Sequence, residues 1–463
     1  MGRVKHIHMV GIGGAGMCGI AEVLHNEGYK ITGSDLSENK VVSHLREVGI
    51  TVFIGHNAQN ILGADVVVVS TAVAMDNPER VEAKAQGIPV IPRAAMLAEL
   101  MRYRLGIAIA GTHGKTTTTS LVSTILAEGG LDPSYVIGGK LNSSGVNAQL
   151  GKSPYLVVEA DESDASFLFL KPMMAVVTNI DSDHMGTYHN SFDQLKAAFL
   201  EFLHHLPFYG LAVLCHDDAT LQSMLPQIER PVRTYGFSAE AHYQISEWTQ
   251  DGLLSHFRLQ RPAPHAALDI QWSWPGRHNA LNAAAAIAIA TEVGVSDQAI
   301  CQALAQFQGV GRRFQILGER DFAQGRAVII DDYGHHPTEI AATIDAFRKA
   351  WPTRRLIHVF QPHRYTRTAD LFQDFVKVLQ GSDDLLLCEI YSAGESPIAG
   401  ISSQALLESL PAFPERAKLT TPEQLETHLQ ALVRDGDAIL MQGAGSISQM
   451  AQKLLESPIR ATV

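Results

Sequence analysis

The residues with the clearest chemical meaning form a glycine-rich run at positions 111–116. The run reads Gly-Thr-His-Gly-Lys-Thr, follows the apolar stretch GIAIA and leads into a helical pattern. In phosphate loops, glycines free backbone amides to surround phosphates, a lysine reaches their oxygens and a hydroxyl binds Mg²⁺. The spacing is shorter than in the usual GxxxxGK[ST] loop, but the helix start still favours anions. We therefore predict an ATP phosphate loop here, rather than a glycine turn with a solvated lysine.

This loop supplies most of the predicted ATP ligands. They are Gly111, Thr112, His113, Gly114, Lys115, Thr116 and Thr117. Lys115 is also a predicted catalytic residue, because phosphoryl transfer depends on positioning and on neutralising the charge of the phosphates.

Two further apolar stretches run into dense polar clusters. EADESD occupies positions 159–164 after YLVV, and NIDSDH occupies positions 179–184 after MAVV. Ligand-binding residues collect at the carboxyl ends of strands in parallel sheets, and Mg²⁺ prefers carboxylate and hydroxyl oxygens. The sequence therefore offers several carboxylates as candidate Mg²⁺ ligands at the first of these ends, namely Glu159, Asp161, Glu162 and Asp164. The alternative is a pair of solvated acidic loops.

A second glycine loop, GIGGAGM, lies near the N-terminus. Gly11, Gly13, Gly14 and Gly16 fit a loose GxGxxG pattern, and Asp35 follows Gly16 by 19 residues. That spacing is close to the dinucleotide fingerprint, in which an acidic residue binds the ribose. An NAD(P) oxidoreductase is therefore an alternative class. Because a separate phosphate loop is present, the sequence favours two nucleotide-like ligands, one of them ATP and the other a nucleotide-linked substrate.

Three polar clusters remain in the second half of the chain. IIDDYGHHPTE places Asp332, Tyr333 and His335 after an apolar stretch. FQPHRYTRT carries a histidine with two arginines, which is typical of a clamp for carboxylate or phosphate. GRHNALN offers side chains for an adenine or ribose, or asparagines that cap a helix. The residues of the last two clusters are His363, Arg364, Arg367, His278, Asn279 and Asn282.

Strand, glycine turn and helix follow one another at three places, which indicates an α/β fold with parallel sheets. The three starts are HIHMVGIGGAG, LGIAIAGTHGK and DAILMQGAGS. With 463 residues, roughly three domains are expected at about 150 residues each. We predict domains at residues 1–103, 104–310 and 311–463, with β-hairpin structure over 235–275 and a helix from Asn279 through Thr291.

Composition narrows the class of protein. The net charge of -12 disfavours nucleic acids and anionic membranes as partners. Four cysteines, far apart and without a CxxC pair, predict neither a disulfide framework nor a zinc site. The longest apolar run is far below the roughly 20 residues of a membrane span, and no signal-peptide pattern opens the chain. We expect a cytoplasmic protein without membrane insertion; its oligomeric state is left open.

The motifs together resemble the Mur ligases, the bacterial family that adds amino acids to a UDP-linked muramyl precursor of peptidoglycan. The strings GIGGAGM, GTHGKTTTT, EADESD, TNIDSDH, GRHNALNA, DDYGHHPTE and FQPHRYTRT occur in order from residue 11 to 368. The set is most similar to the alanine-adding branch. The resemblance implies a Rossmann-like N-terminal domain for the UDP-sugar, a central P-loop ATPase-like domain and a Rossmann-like C-terminal domain for the amino acid.

The resemblance also implies a reaction. The lactyl carboxylate of UDP-N-acetylmuramate attacks the γ-phosphate of ATP, and the amine of L-alanine displaces phosphate from the acyl phosphate. Thr116 and Glu159 would bind Mg²⁺, His184 would bind a second Mg²⁺, and Arg313 would bind a phosphate. His278, Asn279 and Asn282 would meet the adenosine. Asp332, Tyr333 and His335 would approach the ATP ribose or the alanine site, and His363, Arg364 and Arg367 would hold alanine. The uridine nucleotide would be bound by Gly11, Gly13, Gly14, Gly16, Asp35, Ser70 and Arg93.

Three alternatives stay open at this point. The nearest is a recycling ligase that attaches a whole tripeptide to the same UDP-sugar, although the HRYTR string favours a small amino acid. The others are the NAD(P) oxidoreductase and a regulator that binds nucleotides without turnover. Because the proposed ligands lie on separate predicted domains, we also expect domain closure on substrate binding.

Overall fold

The computed structural model describes residues 3–70, 72–138, 148–410 and 416–456. They form three sheets with helices, which confirms the α/β class. The chain divides into two compact units. The first unit comprises Met1–Glu247, Phe257–Trp272 and Leu281–Gln308, and the second comprises Trp248–His256, Ser273–Ala280 and Gly309–Val463. The predicted three-domain boundaries stay a prediction.

The first sheet is parallel and has the strand order β3-β2-β1-β4-β5. Its elements are β1 (His6–Val10), α1 (Ala15–Asn26), β2 (Lys30–Asp35), α2 (Lys40–Glu47), β3 (Thr51–Ile54), a 3₁₀ helix (Ala58–Ile61), β4 (Val66–Val69), α3 (Pro78–Ala85), β5 (Val90–Pro92) and α4 (Arg93–Met101). The strand order reverses beside β1, so the glycine loop after β1 lies where open α/β sheets bind ligands.

The second sheet has ten strands in the order β15-β14-β13-β12-β11-β10-β6-β9-β7-β8. Its first elements are β6 (Leu105–Ala110), α5 (Lys115–Glu128), β7 (Ser134–Val136), β8 (Ala148–Gln149), β9 (Tyr155–Glu159), a 3₁₀ helix (Ser166–Phe169), β10 (Met174–Val177), a 3₁₀ helix (Met185–Tyr188) and α6 (Phe192–His204). Strand β6 pairs in parallel with both β9 and β10. The phosphate loop and both acidic clusters therefore leave the sheet at one edge, as predicted.

The rest of this sheet follows α6. Its elements are β11 (Leu211–Cys215), α7 (Ala219–Met224), a 3₁₀ helix (Leu225–Gln227), β12 (Val232–Gly236), β13 (Tyr243–Asp251), β14 (Leu254–Gln260), β15 (Leu268–Trp272), α8 (Arg277–Glu292) and α9 (Asp297–Ala305). Three strands between residues 243 and 272 confirm the β-structure expected there. Helix α8 begins two residues before the predicted start and ends one residue after the predicted end.

The third sheet has the order β16-β17-β21-β18-β19-β20, with β16 antiparallel to β17 and the others parallel. Its elements are β16 (Gln315–Phe322), β17 (Gly325–Asp332), α10 (Pro337–Ala350), β18 (Leu356–Phe360), α11 (Tyr365–Asp370), α12 (Phe372–Leu379), β19 (Asp384–Cys388), α13 (Ser403–Glu408), β20 (Ala417–Thr420), α14 (Leu425–Leu432), β21 (Asp437–Gln442) and α15 (Ile447–Glu456).

Both faces of the third sheet are buried. Helices α10, α12 and α13 pack their apolar side chains on one face, where Ile330 and Leu440 point. Helices α14 and α15 cover the other face, where Ile329 and Ile439 point. Successive strand residues alternate between the two cores, because side chains of a strand point to opposite faces. A two-layer cover of this kind is typical of a Rossmann-like sheet.

Candidate active site

The loop after β6 has backbone conformations at two glycines that other residues rarely adopt. Gly111 and Gly114 have φ values of 124° and 82°, both in the left-handed region. A Cβ at Gly111 would overlap the Thr178 hydroxyl, and one at Gly114 would lie 2.6 Å from Asn282 Oδ1. The loop therefore turns tightly between β6 and α5, with Gly114 as the residue before the first turn of the helix. Backbone amides at such a helix start can bind phosphate.

Lys115 is half-buried within this loop. Its ammonium donates hydrogen bonds to the carbonyls of Gly111 and Thr112 at 2.7 and 3.0 Å and to Glu162 Oε1 at 2.9 Å. Burial acts to lower the Lys115 pKa, but Glu162 and two neighbouring carboxylates raise it above its ordinary value. Burial raises the pKa of Glu162 to about 7, although Lys115 acts to lower it. Lys115 is thus a fixed positive charge at the centre of the loop.

Thr116 and Glu159 lie together, as predicted for the Mg²⁺ ligands. Thr116 Oγ1 donates to Glu159 Oε1 and Oε2, each at 3.1 Å, and the Gly138 amide donates to Oε2 at 2.8 Å. One hydroxyl and one carboxylate beside a lysine form an oxygen donor set of the kind that Mg²⁺ prefers. The residues present therefore fit this cation.

The end of β10 braces the phosphate loop. The Thr178 hydroxyl donates to the His113 carbonyl at 2.6 Å, and Asn179 Oδ1 accepts from the His113 amide at 2.9 Å. His113 Nε2 lies 3.0 Å from Asp181 Oδ2, and the Asp181 amide donates to the Thr112 hydroxyl at 2.9 Å. Thr112 and His113 are therefore held from the neighbouring strand. Thr117 is buried in the first turn of α5.

His184 takes a left-handed backbone conformation, with a φ of 53°. Its Nε2 lies 3.4 Å from Asp183 Oδ2. The 3₁₀ helix that follows packs on the first acidic loop, because the Tyr188 hydroxyl donates to the Glu162 carbonyl and Thr187 to the Ser163 carbonyl. Asp183 thus positions the side chain of His184, the predicted ligand of the second Mg²⁺. Glu159, a predicted ligand of the first Mg²⁺, bonds instead to Thr116.

Asn282 also lies at the phosphate loop. The Thr118 hydroxyl donates to Asn282 Oδ1 at 3.2 Å, so α8 approaches α5 beside Gly114. In the second compact unit, the side-chain amide of Asn279 donates to the Pro275 carbonyl at 2.7 Å in the first turn of α8, a bond different from the capping acceptor considered for it. Burial lowers the pKa of His278, although nearby carboxylates act to raise it.

The first glycine loop, which follows β1, is held by hydrogen bonds to residues at the end of β2. Ser34 accepts hydrogen bonds from the amides of Gly11 and Ile12 through its carbonyl at 2.8 and 3.1 Å, and Asp35 accepts one from Gly13 at 2.8 Å. The Asp35 carboxylate therefore also holds the loop from β2.

Other predicted residues flank this loop. A Cβ at Gly16 would lie 3.2 Å from Arg93 Nη1, and one at Gly11 would lie 3.4 Å from Ser70 Cβ. Gly14 precedes the first residue of α1 and has an extended backbone. The glycines, Ser70 and Arg93 thus form one cluster at the carboxyl edge of the first sheet.

Asp332 is a buried hydrogen-bond centre at the end of β17. Its Oδ1 accepts from the Gly334 amide, Thr343 and Gln442 at 2.9, 3.2 and 2.7 Å, and its Oδ2 accepts from the Phe314 amide at 2.9 Å. Through these four hydrogen bonds, Asp332 holds together the segments that surround the end of β17. A contact with ATP, which the sequence suggested, would be additional to this structural role.

Tyr333 is covered by cations. The guanidinium carbons of Arg312 and Arg313 lie 4.7 and 4.9 Å from the centre of its ring. Arg313 also approaches Glu339 at 3.9 Å. The ring of His335 lies 5.3 Å from that of Tyr333, edge to face. The structure therefore brings Arg313, Tyr333 and His335 together.

The arginine cluster follows β18. Arg367 Nη1 lies 3.2 Å from His363 Nδ1 and donates to the His363 carbonyl at 3.3 Å. Arg364 has a φ of 71° and lies 3.9 Å from Glu395. The His363 ring is 5.6 Å from the ring of His335. The predicted anion clamp and the histidine cluster thus adjoin each other at the carboxyl edge of the third sheet.

Two residues of the site were not singled out by the sequence. Glu162 is the ion-pair partner of Lys115, but it shares its string with three other acidic residues, so spacing alone does not select it. Tyr391 stacks on His363 with the ring planes 10° apart. It lies 28 residues further along the chain, and no motif marks it.

Models of the Mur ligase family match the chain in three successive stretches. The description "Mur ligase family, catalytic domain" covers residues 6–105, "Mur ligase middle domain" covers 109–290, and "Mur ligase, glutamate ligase domain" covers 312–445. The chain belongs to the Mur ligase family. The resemblance drawn from the ordered motifs is thereby confirmed.

Relatives among the Mur ligases match over almost their whole length. UDP-N-acetylmuramate–L-alanine ligases of Legionella pneumophila strains Corby and Lens are 65% identical over 457 residues, covering 99% of this chain and 97% of theirs. The crystal structure of the UDP-N-acetylmuramate-alanine ligase of Thermotoga maritima has a TM-score of 0.81 at 28% identity and covers 97% of this chain and 98% of that one. A murein peptide ligase of Psychrobacter arcticus has a TM-score of 0.74 at 25% identity and covers 99% and 100%.

The lengths and apolar character of the helices can be compared with what a membrane span requires. Among the helices that the structure describes, none has the length and apolar character required to cross a bilayer.

Proposed function

We propose that the chain is an ATP- and Mg²⁺-dependent ligase of the cytoplasm. It joins L-alanine to the lactyl carboxylate of UDP-N-acetylmuramate. The observation that carries this proposal is the full-length match to the L. pneumophila alanine ligases. The arrangement of Lys115, Thr116 and Glu159 supports it, because it combines a cation and an oxygen donor set at a phosphate-binding helix start.

In the proposed first step, the ATP phosphates lie against the amides of the 111–116 loop. The Lys115 ammonium, now bound to Glu162 and two carbonyls, turns to the β- and γ-phosphate oxygens. A lactyl carboxylate oxygen forms a bond to the γ-phosphorus, and the bond to the β,γ-bridging oxygen breaks, which releases ADP. Mg²⁺ held by Thr116 and Glu159, and a second ion at His184, would neutralise phosphate charge.

In the second step, the neutral amine of L-alanine attacks the acyl carbon. Phosphate leaves from the tetrahedral intermediate, and the nitrogen loses a proton as the amide forms. Arg364 and Arg367 hold the alanine carboxylate beside His363, since guanidinium groups match carboxylates. Tyr333, His335 and Asp332 border this site or the ATP ribose, and Arg313 binds a phosphate.

The adenosine of ATP and the UDP-sugar are assigned to the remaining predicted residues. Adenosine lies against His278, Asn279 and Asn282. The UDP-sugar lies on the first glycine loop, Asp35, Ser70 and Arg93. We assign residues 1–103 to the UDP-sugar, 104–310 to ATP and 311–463 to the amino acid.

A coupled ADP-release assay tests the proposal. The chain is supplied with ATP, Mg²⁺, UDP-N-acetylmuramate and, in separate reactions, each common amino acid or the murein tripeptide. We expect turnover with L-alanine. Turnover only with the tripeptide would identify the recycling ligase. NADH binding without ATP turnover would identify an oxidoreductase, and ATP binding without turnover under any condition would identify a regulator.

A further inference from the structure

Four aromatic rings form a row across the carboxyl edge of the third sheet. Tyr333, His335, His363 and Tyr391 follow one another with ring-centre distances of 5.3, 5.6 and 5.6 Å. The first three rings of this row belong to the proposed alanine site. Tyr391 ends the row, and its side chain is 43% exposed although it packs on His363. One face of its ring is therefore available to a ligand.

The backbone fixes Tyr391 against the arginine cluster. The Tyr391 amide donates to the Pro362 carbonyl at 2.8 Å, and the Arg364 amide donates to the Tyr391 carbonyl at 2.8 Å. Residues 363 and 391 form an isolated parallel bridge. Because these backbone hydrogen bonds lie on both sides of His363, the backbones of residues 363 and 391 keep a fixed separation, and the two stacked rings start from neighbouring positions. The arginine cluster and the Tyr391 ring are therefore carried by two paired backbone segments.

A glycine lies against the base of the Tyr391 side chain. A Cβ at Gly445 would lie 2.7 Å from Tyr391 Cγ and 2.5 Å from Gln361 Oε1. Gln361 is itself held, since its Oε1 accepts from the Ile447 amide at 3.1 Å. The Cβ and Cγ atoms of Tyr391 therefore lie close to the backbone just before α15, and the base of the ring cannot move further in that direction without a clash.

We propose that Tyr391 sets the upper size limit of the amino-acid side chain accepted beside Arg364 and Arg367. This inference rests on the proposed function of that cluster as the alanine site. An amino acid whose carboxylate is held by the two arginines places its Cα substituent along the His363–Tyr391 surface. A methyl group fits against the rings. A longer substituent meets the Tyr391 ring, whose base lies against Gly445 and whose face is stacked on His363.

Selectivity between two substrates that differ by one methylene tests the proposal. The kcat/KM values for L-alanine and L-2-aminobutyrate are measured by ADP release for the full chain and for Tyr391→Ala, Tyr391→Leu and Tyr391→Phe. In Tyr391→Ala the ratio of kcat/KM for 2-aminobutyrate to that for alanine should rise roughly tenfold or more, the usual worth of a methylene. Tyr391→Leu should raise it less, and Tyr391→Phe should leave it unchanged. Tyr103→Ala, at a tyrosine that is 76% exposed in the first unit, is the matched control.

Three results would contradict the size limit or the function on which it rests. An unchanged ratio in an active Tyr391→Leu or Tyr391→Ala protein overturns the size limit. Loss of activity with both amino acids in folded Ala and Leu variants also overturns it, because the ring would then only position His363. A wild-type chain that does not use L-alanine contradicts the proposed function instead, and this is seen before any variant is compared.

Discussion

Lys115 is the residue on which the proposed phosphoryl transfer depends most. It is the one cation that the structure places on the carbonyls of the phosphate loop, among the residues described. Replacing it with alanine removes the charge that would neutralise the β- and γ-phosphates. We expect kcat/KM for ATP to fall by roughly 10²–10³-fold, as when a charge-stabilising donor is lost. Initial-rate assays of ADP release measure this. Lys152→Ala, at an exposed lysine, should keep wild-type rates, and equal losses in both variants would count against the assignment.

Glu159 should govern the Mg²⁺ requirement. Its carboxylate bonds to Thr116 and the Gly138 amide, and glutamine keeps the shape while removing the negative charge. We expect Glu159→Gln to raise the Mg²⁺ concentration for half-maximal activity by at least about tenfold. Titrating Mg²⁺ at saturating substrates gives this value. Glu128→Gln, at an exposed position on α5, serves as control. A Glu159→Gln enzyme with an unchanged Mg²⁺ curve would remove Glu159 from the metal site.

Site residues were predictable from the sequence where their type and their neighbours in the chain determine their position. Lys115 and Thr116 follow a strand and two glycines, so their places are set locally. Glu159 and Asn179 were expected near the loop because parallel strands end at one edge, and the structure brings both there. The partner of Lys115 was not predictable, because the turn of the acidic loop selects Glu162 from four neighbours. Tyr391 reaches His363 only through the pairing of distant segments.

At the scale of elements, the strand-to-helix turn after β6 depends on Gly111. Alanine there would need a φ of 124° and would overlap the Thr178 hydroxyl, just past the end of β10. We expect Gly111→Ala to lower the free energy of unfolding by about 2–5 kcal/mol, from backbone strain and from overpacking. Urea denaturation measures this loss.

Gly130→Ala is the matched control for that loop. Gly130 has a φ of 76°, and no atom lies within 4 Å of the position that an alanine methyl group would occupy there. Gly130→Ala should lower the free energy of unfolding only through backbone strain, by about 1–2 kcal/mol. Equal losses at the two glycines would show that the contact with Thr178 contributes nothing.

Strands were easiest to predict where a continuous apolar run leads into a glycine turn and a helix. The strands predicted before the first and third glycine turns, around Ile7 and Ile439, are β1 and β21, each buried throughout. Strands β3, β16 and β20 were missed, and all three lie at a sheet edge. An edge strand is partly solvated, so its apolar residues do not form the continuous run that marks a central parallel strand. Phe53 and Ile54 of β3, for example, are exposed.

For the whole molecule, net charge and ligand charge have the same sign. The chain carries -12, and the proposed ATP and UDP-sugar are both anionic. Binding must therefore rely on local groups. The structure offers two glycine loops at helix starts, each with a nearby cation, Lys115 or Arg93. Backbone amides and a helix dipole attract phosphate over short distances even when the bulk field repels it.

The stability of the molecule should fall on the acid side for two identifiable reasons. Burial lowers the pKa of His358 from 6.5 to about 3. Burial acts to raise the pKa of Glu79, but His8, Ser34 and Asn60 lower it from 4.5 to about 2. Both folded-state values lie below the unfolded ones, so the unfolded chain binds protons first as pH falls. Stability linked to His358 is complete above pH 6.5 and is lost towards pH 3, and that linked to Glu79 is lost between 4.5 and 2.

The two groups can be separated by the pH at which each acts. Between pH 7.5 and 5.0 only His358 of the pair contributes, at up to about 1.4 kcal/mol per pH unit below its unfolded pKa. His358→Asn keeps a polar atom near the Ser382 hydroxyl, which lies 3.0 Å from His358 Nδ1, but does not titrate. Urea denaturation at the two pH values should therefore show a fall in unfolding free energy that is about 2 kcal/mol smaller in His358→Asn than in wild type. His265→Asn, at an exposed histidine, should retain the wild-type fall. If His358→Asn lost as much stability as wild type over this range, other buried histidines of the chain would have to account for its acid sensitivity.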